Sequence, residues 1–68
     1  MTTQEKIANN LKNVRDKKRM TQEDVAKKAE ISTNHYARIE RGETSPNLET
    51  FERIIKSLGV KSKDVLPY

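Results

Sequence analysis

Asn34 and Arg38 stand one helical turn apart in the stretch Thr33-Asn-His-Tyr-Ala-Arg-Ile-Glu40. An asparagine amide matches the donor and acceptor on the edge of adenine, and a guanidinium matches the two acceptors of guanine. The methyl groups of Thr33 and Ala37 suit the methyl of thymine. At about 100° per residue, Thr33, Asn34, Ala37 and Arg38 share one arc of a helix, roughly opposite Tyr36 and Ile39. The apolar pair would anchor such a helix while the polar arc faced outward. An ordinary solvated helix face carries side chains of the same types, so the arc alone leaves both readings open.

The rest of the inventory argues against other chemistry. There is no cysteine and a single histidine, His35. A disulfide framework and a thiolate metal site are therefore excluded, and a zinc site or a histidine-based triad has no support. No nucleophile-base constellation and no glycine-rich phosphate loop occurs, so neither an enzyme nor a cofactor is expected. No run approaches the roughly 18 apolar residues of a membrane span, and no signal-type apolar stretch opens the chain. The expectation is a soluble, cytoplasmic protein with no membrane partner. Fourteen Lys and Arg against ten Asp and Glu leave a net charge of +4. That balance suits a polyanionic partner without requiring one.

These residues have to be positioned by a small fold. A chain of 68 residues is one domain, here 1–68. At this size only about 60% of the unfolded surface is buried, and helical packing is the architecture that manages without staples. Two glycines and two prolines argue against a turn-rich β fold. Helix caps punctuate the chain instead. Thr2 and Glu5 have capping-box spacing, and Ile7, Leu11 and Val14 form one apolar stripe behind them. The basic run Arg15–Arg19 reads as a solvated helix end whose cations complement the dipole.

Thr21 predicts the next helix start, with Met20 and Val25 as its hydrophobic staple and Val25, Ala26 and Ala29 as a narrow inner face. Ser32 predicts another start only three residues after that helix ends. Two short helices on so tight a turn form a helix-turn-helix unit over about 21–41. Gly42 closes the third helix. Asn47 caps a fourth, with Leu48, Phe51, Ile54, Ile55 and Leu58 on its apolar face. Gly59 stops that helix, with Val60 packing back on Ile55. Ser62 would cap a last short helix carrying Val65 and Leu66, ended by Pro67. The expected fold is all-α, with five helices.

In order and spacing, the stretch Met20–Ala29, then Ile31-Ser32, Tyr36-Ala-Arg-Ile-Glu-Arg-Gly42, Pro46–Phe51 and Ile54–Val60 resembles the phage-repressor, Cro-like helix-turn-helix family. This is the xenobiotic-response-element type, and the likeness runs from about Ile7 to Leu66. The resemblance implies a compact repressor-like DNA-binding domain whose helices 2 and 3 form the reading unit. It implies base contacts from Thr33, Asn34, Ala37 and Arg38. It places phosphate contacts at Gln22, Thr21, Ser32, Arg41, Ser45 and Asn47, and His35 reads either as a phosphate contact or as a half-buried spacer. Arg15 and Glu40 match a partly buried ion pair of the family that ties the first helix to the third. Two departures stand out. Glu30 occupies a turn position where relatives carry glycine, and Glu43 puts a carboxylate in a loop expected to approach phosphate.

The implied partner is double-stranded DNA with two half-sites, read by a homodimer. Leu66 and Tyr68 are the interface candidates, while Val60 and Val65 are expected in the core. With no effector domain in view, a small-molecule ligand is not expected. The leading function is a sequence-specific transcriptional regulator. The alternative is an antitoxin or protein-interaction module on the same fold, because function resides in the site and not in the fold. The polar arc with Arg38 and the positive charge favour DNA.

Overall fold

Thr2 opens the first helix. Its hydroxyl accepts from the Glu5 N–H at 3.1 Å, and the Glu5 carboxylate accepts from the Thr2 N–H at 2.8 Å. Two orphan donors are satisfied at once, and α1 runs Thr3–Lys17. The device repeats at Thr21 and Asp24, which open α2, Gln22–Ala29. The Ser32 hydroxyl accepts from the His35 N–H at 3.0 Å and opens α3, Thr33–Glu40. Asn47 accepts from the Thr50 N–H at 2.8 Å and opens α4, Leu48–Leu58. This computed structural model describes every residue, Met1–Tyr68.

All four α-helices stop in the same way. Arg19, Glu30, Gly42 and Gly59 take positive φ at 56°, 60°, 75° and 69°. The following residue then folds its N–H back onto the helix: Met20 to Arg15 O, Ile31 to Ala26 O, Glu43 to Arg38 O and Val60 to Ile55 O. This is the Schellman closure. An apolar residue in that following position usually packs on the helix. Met20, Ile31 and Val60 do so, each half-buried against the core. Glu43 is the exception, and it is exposed.

The core gathers Leu11, Val25, Tyr36, Ile39, Ile54 and Val65, all fully buried. Helix α2 packs against both α3 and α4, and α1 packs against α3. The small faces of Ala26 and Ala29 are themselves buried and let these helices approach closely. Side-chain bonds to backbone lock the remaining contacts. Arg53 Nε donates to Ala29 O at 2.9 Å, covering a free carbonyl at the end of α2. Asn10 Nδ2 donates to Val65 O at 2.7 Å, and Gln4 Nε2 donates to Gly42 O at 2.6 Å.

Three expectations are corrected. There are four α-helices and not five, because the last element is one 3-10 turn, Ser62–Asp64. A helix nucleus is costly. Pro67 also disfavours helical backbone at the residue before it, so the chain has no room to propagate one. Ser62 makes no side-chain cap there. Instead the Asp64 carboxylate accepts from the Lys61 N–H at 3.0 Å. Leu48 was expected inside, but as the first residue of α4 it projects past the core and is 88% exposed.

Candidate nucleic-acid interface

Helix α3 is held from beneath along a wide strip. Tyr36 and Ile39 enter the core, and Glu40 is drawn in beside them by Arg15. Arg15 Nε donates to Glu40 Oε2 at 2.8 Å and Nη2 donates to Oε1 at 2.9 Å, a bidentate fork across α1 and α3. Arg15 Nη1 also donates to Met20 O at 2.7 Å, so the same guanidinium fixes the chain just before α2. Gln22 Nε2 completes the cluster with a bond to Glu40 Oε1 at 3.2 Å. Burial alone would raise the Glu40 carboxyl. The hydrogen bonds it accepts, led by those from Arg15, outweigh burial and hold it below the ordinary 4.5. The bond to Glu40 in turn raises Arg15. The Tyr36 hydroxyl is buried beside this pair with no hydrogen bond in the fold. Its pKa is raised, first by burial and then by the Glu40 carboxylate.

At about 100° per residue the buried strip of α3 runs from Ile39 through Tyr36 and Glu40 to Ala37. Ala37 was expected on the outward arc, but it lies on this strip and is only 8% exposed. Asn34, His35, Arg38 and Arg41 make the outer face, with Thr33 exposed in the first turn. His35 is therefore exposed, not a half-buried spacer. The Arg38 side chain is 51% exposed, with its Nε 3.7 Å from the Glu43 carboxylate.

The other expected phosphate-contact residues divide by what they already bond. The Thr21 and Ser32 hydroxyls accept from their cap N–H groups, so each keeps its own proton to donate outward. Asn47 uses its carbonyl oxygen as a cap and keeps its amide N–H groups. The Ser45 hydroxyl instead donates to Gln4 Oε1, which turns it toward α1. Gln22 has part of its amide tied to Glu40. The family resemblance implied the Arg15–Glu40 pair, but nothing in the sequence signalled the inward bonds of Gln22 and Ser45.

The Glu43 carboxylate lies against two arginines. Arg41 donates to both of its oxygens, and Arg38 Nε lies 3.7 Å from Oε1. The Arg41 bond is the main cause holding the Glu43 carboxyl below its ordinary value. Beyond the loop that follows α3, Leu48 and Tyr68 are 88% and 87% exposed. With Ile7, Phe51 and Leu66 they line an apolar groove of about 200 Å³.

Known proteins share this fold. A sequence profile of the helix-turn-helix family matches residues 11–65. An uncharacterised helix-turn-helix transcriptional regulator of Methanocaldococcus jannaschii is 40% identical over 62 residues, covering 91% of this chain and 94% of that protein. The immunity repressor of Bacillus phage phi105 is 33% identical over 55 residues, covering 81% of this chain but 38% of the repressor. The solved structure of the restriction-modification controller protein C.Esp1396I superposes with a TM-score of 0.85 at 30% identity, covering 93% of this chain and 82% of that one. The motif order, the two capped helices on a tight turn and these matches agree: this chain belongs to the phage-repressor, Cro-like helix-turn-helix family of transcriptional regulators.

Proposed function

We propose that this chain binds double-stranded DNA in a sequence-specific manner and regulates transcription, with α3 seated in the major groove. The observation that carries this reading is the split character of α3. Its underside is fixed by Tyr36, Ile39 and Glu40, while Asn34 and Arg38 are exposed on the outer face. The groove is about 12 Å wide and admits one helix, which a rigid mount holds in register. Asn34 and Arg38 meet base edges, and the Thr33 methyl meets thymine. Thr21, Gln22, Ser32, His35, Arg41 and Asn47 hold the backbone around them. The free N–H groups and the dipole at the starts of α2 and α3 favour phosphate there.

One such helix reads too short a site for unique recognition, and a homodimer doubles it. The apolar groove with Leu48, Leu66 and Tyr68 supports that surface as the contact between copies, because so large an unpartnered apolar side chain as Tyr68 at 87% exposure is costly to leave in water. Leu66 and Tyr68 then bury each other's counterparts.

Selection of binding sites from random duplexes tests the reading. The expected product is a two-fold symmetric site with half-sites about 10 base pairs apart, bound with steep salt dependence. Failure to enrich any sequence, or a complex insensitive to salt, would favour the protein-interaction module instead.

A further inference from the structure

We propose that Glu43 is an intramolecular competitor of DNA: its carboxylate occupies Arg38 and Arg41 in the free chain, and any duplex that engages these arginines must displace it. The inference rests on the DNA-binding reading above and adds a residue to it.

The placement of Glu43 is built into the backbone. Its N–H bonds Arg38 O at 2.9 Å as the closing bond of the α3 terminus. In the matching position α1, α2 and α4 carry Met20, Ile31 and Val60, which pack on the core. Here the position carries an exposed carboxylate, so apolar closure is given up at this helix alone. Gly42 supplies the turn at φ 75°, which holds Glu43 at the end of α3. The carboxylate then reaches both arginines of the outer face, Arg41 through both oxygens and Arg38 at 3.7 Å.

A phosphate offers these arginines the same chemistry as a carboxylate: oxygens arranged to accept from a guanidinium. Random DNA must therefore displace Glu43 to gain only an equivalent partner, and it brings a like charge close to the carboxylate. A matched site must break the same pairs before Arg38 reaches the two acceptors of a guanine. That cost belongs to the free chain, so Glu43 lowers affinity for every duplex by a similar factor.

The test compares Glu43→Gln with Glu23→Gln. Both remove one exposed negative charge, and Glu23 forms no ion pair with an arginine. Affinities are measured for a duplex selected by the wild-type chain and for a scrambled duplex. An exposed ion pair is worth up to about fivefold in an equilibrium. Two such pairs predict that Glu43→Gln tightens both duplexes about three- to tenfold, well beyond the shift from Glu23→Gln. In an Arg38→Ala, Arg41→Ala background the gain from Glu43→Gln should vanish. A shift from Glu43→Gln no larger than that from Glu23→Gln, or a gain that survives loss of both arginines, would overturn the inference and leave the DNA reading intact. A wild-type chain that prefers no duplex would overturn both. Thermal melting of each variant verifies that the fold is unchanged.

Discussion

Arg15 and Glu40 meet as a two-pronged fork, Nε to Oε2 at 2.8 Å and Nη2 to Oε1 at 2.9 Å, with the Glu40 side chain 2% exposed. This pair joins α1 to the end of α3 and, with Tyr36 and Ile39 in the core, holds the underside of that helix. Removing one partner strands the other in the interior, which costs about 3–5 kcal/mol. A domain of this size has about 3–10 kcal/mol in total. Arg15→Ala is therefore expected to leave the chain largely unfolded near 37 °C, read by circular dichroism on heating. A melting curve close to that of the parent would mean the fork is only a surface contact.

The pH dependence follows from the same carboxylate. Glu40 is held below its ordinary 4.5, and the capping carboxylates Glu5 and Asp24 are held below theirs by bonds to Thr2 and Thr21. A carboxyl depressed by folding contributes stability that is present above its ordinary value and lost as pH falls through the depressed one. Urea unfolding should give a midpoint that is level between about pH 6 and 8 and declines below about 4.5. Asp24→Asn, which keeps an acceptor for the Thr21 N–H, should make that decline shallower. An acid-insensitive midpoint would contradict the assignment.

Glu30 carries a side chain in the left-handed region, at φ 60°. That conformation costs roughly 1–2 kcal/mol for a residue with a Cβ. Glycine removes the strain but adds freedom to the unfolded chain. The net expectation for Glu30→Gly is a gain of about 0.5–1 kcal/mol, measured by denaturant unfolding. Gly42→Ala runs the other way, since φ is 75° there and the new methyl would also touch Glu5 and Ala8. A Glu30→Gly variant less stable than its parent would show that the glutamate gains something in this turn.

The proposed contact between copies has its own expectation. Leu48→Glu and Tyr68→Glu place charge on an apolar face outside the core. They should lower the dimer fraction in sedimentation without lowering the melting temperature of the monomer. A monomeric parent at the concentrations where it binds DNA would remove the dimer from the account.

The sequence was legible wherever local chemistry decides. Thr2, Thr21, Ser32 and Asn47 announce helix starts because each has a side-chain oxygen beside unpaired N–H groups. Gly42 and Gly59 announce stops for conformational reasons. Arg19 gave no such notice, because nothing in its type reveals positive φ. Ala37 and Leu48 were misplaced for a different reason. Periodicity assigns a face, but the buried strip of α3 is wider than its two large apolar residues and reaches Glu40 and Ala37, and the first residue of α4 overshoots the core. The inward bonds of Gln22 and Ser45 depend on partners 18 and 41 residues away, which spacing does not encode.

Arg38 is where the account is most exposed. Its affinity for a duplex selected by the wild-type chain, and for a scrambled duplex, should be measured with and without Arg38→Ala across a range of salt. A guanine contact predicts a loss of about 1–3 kcal/mol on the selected duplex, a much smaller loss on the scrambled one, and relaxed preference at one position of each half-site. An Arg38→Ala variant that keeps its full preference for the selected duplex would mean that the outer face of α3 does not read DNA.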